Sequence, residues 1–224
     1  MRRKPWSVFG RRSARHEALT VHTSLSLLSK SCDTYPCMRY ARTIIGYHGC
    51  TAVTASRILK GDSFSLSSNN YDWLGQGVYF WEHGPDRALR FIREKLRREK
   101  RREKPAVVGA VLQLGLCFDL LDTNFTSDLR QVYASFVEFL GAAGRDLPSN
   151  KGPAPELKLR YLDCAMLNWY LSELEADSQS YQTVRGCFVE GGPAFPGSGI
   201  EAESHIQIAV RDPACIIGVF RPIL

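Results

Sequence analysis

Long apolar runs are missing from this 224-residue chain; the longest stretches, typified by residues 106–112 and 206–210, are short or interrupted. A bilayer-crossing helix needs roughly 20 consecutive apolar residues, so a membrane span is excluded. The basic N-terminus leads into residues 19–28, but Thr, His and Ser break that segment, and it offers neither an apolar signal core nor a small-residue cleavage site. Paired cysteines are also lacking. Seven is an odd number for a chain too long to need staples, which reads as reduced thiols in a cytoplasm. The one close pair, Cys32 and Cys37, has no second Cys/His pair at zinc-finger spacing, so no metal site is expected. No internal repeat or low-complexity block is present, and disordered, collagenous and coiled-coil classes are excluded by composition.

What is present is a globular composition, 44% hydrophobic and 23% charged, with a net charge of +6. The charge is uneven. Residues 1–37 hold seven Lys/Arg against two Asp/Glu, leaving 22 against 21 for the remainder. This basic, Ser-rich segment has no durable period and reads as an unstructured leader, with the folded domain at residues 38–224. A second basic concentration runs from Arg90 to Lys104, with nine Lys/Arg and three Glu. It lies at the end of a helix expected over residues 87–104, which makes it either a solvated helix end or a surface that tracks phosphates.

Strands are expected at 43–47, 75–81, 107–121, 184–189, 204–210 and 215–220, and helices at 51–59, 87–104, 127–140 and 160–176. This mixture gives an α/β or α+β fold. Three residues stand out on the strands. His48 closes the first and precedes Gly49, whose missing side chain leaves backbone groups open to a ligand. Tyr79 sits in Gly75-Gln76-Gly77-Val78-Tyr79-Phe80-Trp81, where glycines permit the close approach of a flat ligand and the ring offers a stacking face. In residues 204–210, alternation buries Ile206, Ile208 and Val210 and sends His205 and Gln207 to the opposite face.

The strings Tyr47-His48-Gly49-Cys50, the segment from Asn70 to Glu82, and Ser204-His205-Ile206-Gln207 together resemble the ADP-ribosyltransferase superfamily of the diphtheria-toxin and poly(ADP-ribose) polymerase type. The likeness is to a bacterial PARP-like group with a His-Tyr-Gln set, and it covers about residues 44–222. The resemblance implies a split β-sheet with flanking helices and an NAD-binding cleft between two small sheets, NAD being a co-substrate. His48 would bind the adenosine ribose, Gly49 the nicotinamide carboxamide, and Tyr79 would stack on the nicotinamide ring. Cys50 and Gly77 would line the cofactor, and Phe91 would supply the second ring, one residue off the expected spacing.

Where many relatives carry a Glu, this chain has Gln207, which can bind a ribose hydroxyl but supplies no negative charge. Glu190, before Gly191-Gly192-Pro193, is the candidate auxiliary carboxylate; Glu201 and Glu203 read as solvated loop residues. The resemblance therefore implies a cytoplasmic mono-ADP-ribosyltransferase rather than a polymer-forming enzyme. Its acceptor would be a macromolecule, with nucleic acid favoured by the basic helix. A bacterial toxin or defence effector would bring an antitoxin partner. The alternatives are a non-catalytic module that binds NAD or ADP-ribose and an NAD glycohydrolase.

Overall fold

The computed structural model describes residues 42–153 and 157–224. The chain divides into two units, Met1–Pro36 and Cys37–Leu224. The leader expected over residues 1–37 lies outside the described residues.

Strand β1 (Thr43–Thr51) runs straight into helix α1 (Ala52–Ile58), which Thr51 caps by accepting from the Thr54 N–H at 3.2 Å. Then follow β2 (Val78–Glu82), α2 (Pro85–Arg98), β3 (Pro105–Gln113), β4 (Cys117–Asp119), α3 (Thr123–Ala142), α4 (Tyr161–Ala176), β5 (Thr183–Phe188), β6 (His205–Val210) and β7 (Ile216–Phe220). The strands form one mixed sheet in the order β4-β5-β6-β2-β1-β3-β7, in which β4 and β5 are parallel and the other pairs antiparallel. The fold is thus mixed α/β, with a seven-stranded sheet and four helices. Among the described residues no helix is long and apolar enough to cross a membrane.

Three sequence expectations are corrected. His48 does not close its strand: β1 pairs with β3 without a break from Thr43 to Thr51, placing His48 opposite Val108. The apolar stretch expected as one strand over 107–121 is two, because Gly115 turns with φ +60° between β3 and β4. The basic helix ends at Arg98. Leu96 is its last buried residue, and Lys100 takes a left-handed φ of +53° that stops the helix in water.

Both faces of the sheet are covered. On one face Phe118, Val184 and Ala209 pack with Phe125, Phe136, Leu167 and Leu171 of α3 and α4, and Trp81 and Val107 pack with Ala88 of α2. On the other, Val78, Phe80, Ala110, Leu112 and Ile208 form a second apolar layer, continued by Cys50 and Val108 against Ala55 and Ile58 of α1. That second face also buries an ion network. Arg185 donates to Glu82 (2.7 Å) and Asp119 (3.1 Å), and Asp119 also accepts from Arg42 (2.7 Å).

The sheet has one thin seam. β1 pairs with β3 over nine residues, and β2 with β6 over five, but β1 and β2 share only Gly46–Glu82 and Tyr47–Trp81. A single sheet therefore stands where two small ones were expected, and its two halves meet at this short junction.

Candidate active site

The segments carrying His48, Tyr79 and Gln207 lie on β1, β2 and β6, which are neighbours at the middle of the sheet. Register decides which side chains share a face. Tyr79 pairs with Ala209 and Trp81 with Gln207, so Tyr79, Trp81 and Gln207 point to the side covered by α2 and α4. His48 points the other way, its ring 5.3 Å from that of Phe64 and 5.7 Å from that of Phe80. It reaches Tyr79 through the backbone. His48 Nδ1 lies 2.9 Å from the Tyr79 carbonyl oxygen, which can only accept, so Nδ1 carries the proton. Burial lowers the His48 pKa below its ordinary value, outweighing that carbonyl, and Lys95 lowers it further. The ring is neutral, with Nε2 bare.

The Tyr79 hydroxyl is spent on the chain itself. It donates to the Gly75 carbonyl (2.7 Å) and accepts from the Leu74 N–H (2.8 Å), pinning the turn before β2. Burial raises its pKa well above the ordinary value, aided by Asp72. Asn168 of α4 holds the same turn by accepting from the Gln76 N–H at 2.9 Å, and a Cβ on Gly75 would lie 2.5 Å from that Asn168 oxygen.

The glycines serve the protein's own packing rather than an open approach. A Cβ on Gly49 would lie 2.4 Å from the Ala88 carbonyl oxygen, so its missing side chain seats helix α2. A Cβ on Gly77 would lie 3.0 Å from both Ala209 Cβ and the Val210 carbonyl oxygen, so Gly77 lets β6 approach. Cys50 is buried in the α1 cluster, and burial pushes its thiol up to about 11, the state of an inert packing residue. Phe91, 37% exposed, packs on Trp81 with ring centroids 4.9 Å apart. Phe91 therefore pairs with Trp81, not with Tyr79.

Gln207 stands in a built polar cluster. Its Nε2 is 2.8 Å from His205 Nε2, and His205 Nδ1 is 2.9 Å from the Glu203 carbonyl oxygen and 3.5 Å from Glu190 Oε2. Glu190, only 4% exposed, is held by Arg87 at 2.8 Å and Lys158 at 3.0 Å. A backbone bond from the Glu203 N–H to the Glu190 carbonyl (2.8 Å) closes the loop between β5 and β6 and brings Glu190 to Gln207's neighbourhood. Glu203 is not a solvated loop residue: it accepts from Arg90 of α2 at 2.8 Å. Aromatic rings wall the cluster, with Trp73, Trp81 and Phe188 centred 6.2, 6.5 and 5.7 Å from His205, and Arg160 lying 4.8 Å over Trp73. Trp81 Nε1, Arg87 Nε and Arg160 Nε are buried without an acceptor among the described residues.

Sequence reasoning passed over Trp73, Trp81, Arg87, Arg160 and His205. For His205 and Trp81 a signal existed, since each is two residues from Gln207 or Tyr79 and shares its face; for the others only the fold brings distant segments together. Among the described residues no group of three His, Cys, Asp or Glu is placed to hold a metal. Fold and site together define a mixed α/β protein with an aromatic-walled polar cluster beside the central strands. The chain matches no family model, no curated protein and no solved structure.

Proposed function

We propose that this protein is an NAD-dependent mono-ADP-ribosyltransferase of the cytoplasm that modifies a macromolecule. The observation that carries the reading is the adjacency of β1, β2 and β6. Three motifs far apart in sequence fall on neighbouring strands, beside a junction only two residue pairs long. That arrangement fits an ADP-ribosyltransferase-like split sheet with the dinucleotide lying along the seam. The residues at hand suit NAD: Phe91, 37% exposed and backed by Trp81, offers a face for a flat base, and the guanidinium groups of Arg87 and Arg160 suit a ligand rich in phosphate and hydroxyl oxygens. In the reaction the bond between ribose C1′ and the nicotinamide nitrogen breaks, nicotinamide leaves with the electron pair, and the acceptor's nucleophilic atom bonds to C1′ and gives its proton to water.

A second reading, a non-catalytic module for NAD or ADP-ribose, is favoured by one feature. Gln207 is uncharged, and the buried carboxylate near it among the described residues, Glu190, is already neutralised by Arg87 and Lys158. Incubation of the purified protein with NAD and cell lysate separates the readings. Nicotinamide release with labelled macromolecule supports the transferase, release with free ADP-ribose alone marks a glycohydrolase, and binding without release marks the module. RNA and DNA are the first acceptors to test, and an antitoxin is the protein partner this reading implies.

A further inference from the structure

The cluster around Gln207 contains a hydrogen-bond chain whose direction is fixed by its far end. The Glu203 carbonyl oxygen, 2.9 Å from His205 Nδ1, has lone pairs only, so Nδ1 must carry a proton. In a neutral imidazole Nε2 is then bare and can only accept. Gln207 Nε2 lies 2.8 Å from it, so the amide must turn its NH₂ toward His205 and its oxygen away. The reverse amide orientation would need a proton on both ring nitrogens. We propose that His205 is a positioning residue that fixes which end of the Gln207 amide meets the ligand, presenting Oε1 as an acceptor for a hydroxyl donor. What Oε1 meets, a ribose hydroxyl, rests on the transferase reading; the orientation itself does not.

The surroundings hold the ring in the neutral state. Its side chain is 7% exposed, among the rings of Trp73, Trp81 and Phe188. The charged groups facing it are Arg87 from α2, Glu190 from the loop after β5 and Glu203 from the loop before β6, with Lys158 joined through Glu190. Burial lowers its pKa first, Arg87 adds to that, and the Glu203 carbonyl, Glu190 and Glu203 oppose it without reversing it. Acid changes the outcome. Once Nε2 is protonated it can only donate, so the amide must rotate half a turn and offer NH₂, a donor, where the hydroxyl expects an acceptor.

The test has an arm that needs no NAD. In ¹⁵N-labelled protein near pH 7.5, the His205 ring should show a protonated Nδ1 and a bare Nε2; a proton on Nε2 overturns the proposal. The second arm compares His205→Gln, which keeps an acceptor near the Nε2 position, with His205→Leu, which does not. His205→Leu should lower NAD turnover about tenfold, the worth of one orienting hydrogen bond, at all pH values. The wild type should lose turnover in acid with a midpoint below the ordinary value of about 6.5, and His205→Gln should keep most of the activity while losing that acid limb. An unchanged acid limb in His205→Gln also overturns the proposal. If no form binds or cleaves NAD, the transferase reading fails and the ring tautomer alone decides the role of His205.

Discussion

His48 Nδ1 lies 2.9 Å from the Tyr79 carbonyl oxygen, so a side chain of β1 closes onto the backbone of β2 where the two strands cease to pair. The contact requires a neutral, Nδ1-protonated ring, and burial favours that state. The unfolded chain would take up a proton near the ordinary value of about 6.5, while the folded one resists it. Stability from this source is therefore complete above that value and is lost as pH falls through the lowered folded pKa. Calorimetry between about pH 8 and pH 5 should show the melting temperature falling with acid. In His48→Asn, which can still donate to the carbonyl but does not titrate, the fall should be shallower, and an equal slope would refute the assignment.

Tyr79→Phe keeps the ring and removes the hydroxyl. The Leu74 N–H and Gly75 carbonyl then lose their partner, and Leu74 is fully buried. The expected cost is about 2 kcal/mol, or a drop of roughly 4–8 °C in melting temperature. NAD turnover should fall with the loosened turn. Tyr79→Ala should abolish turnover and destabilise further, so its activity must be read on the folded fraction. A Tyr79→Phe variant as stable as the wild type would show that the turn is held by Asn168 alone.

Gln207 and Glu190 divide the electrostatic question. Gln207→Ala should lower NAD cleavage by on the order of 10 to 1,000-fold, while Gln207→Glu, which adds the missing charge, should preserve or raise it. Glu190→Gln removes the buried carboxylate shared by Arg87 and Lys158; Glu203 remains 3.6 Å from Arg87 and Lys158 is half exposed, so the loss is about 1–3 kcal/mol. If Gln207→Ala is silent and refolded Glu190→Gln is inactive at full occupancy of the native state, the electrostatic role moves to Glu190.

Arg185 joins Glu82 of β2 to Asp119 of β4, with both carboxylates and the guanidinium nearly buried. Arg185→Met strands two negative charges, of which Asp119 keeps Arg42. A loss of about 3–5 kcal/mol follows. Chemical denaturation would measure it, and a change within about 0.5 kcal/mol would mean that the network is solvated.

Helix α2 and the segment after it expose Arg93, Arg97, Arg98, Lys100, Arg102 and Lys104. If the acceptor is a nucleic acid, macromolecule labelling should fall steeply between about 50 and 200 mM salt as counterion release weakens, while NAD hydrolysis stays nearly flat. Parallel salt curves for the two would remove this helix from acceptor binding.

The order and type of the elements were legible because alternation and helical spacing survive in the sequence, as in β6 and α3. Three boundaries were not, the end of β1 beyond His48 among them. Gly115 interrupts an apolar stretch whose pattern continues on either side, and the basic helix shows no breaker at Arg98, only the end of its core contacts at Leu96. In the site, the face of Gln207 followed from period two, but the side on which His48 falls depends on its register against Val108, which no local pattern carries. Trp73, Arg87 and Glu190 converge on His205 only through tertiary packing. The glycines misled for a definite reason: at 49 and 77 the close approach they allow is made by the chain's own helix and strand.

The thin seam between β1 and β2 has a consequence for how the molecule is made. β2 owes most of its pairing to β6, and α2, β3, β4, α3, α4 and β5 must all leave the ribosome before β6 exists. Until then β2 presents an unsatisfied edge of apolar and aromatic residues, open to pairing with another nascent chain. The centre of the sheet is thus completed late in synthesis, with only β7 still to follow, and its closure waits on contacts of long sequence separation, the slow kind. Overproduction at low temperature, or with a chaperone that shields such edges, should raise the yield of native protein.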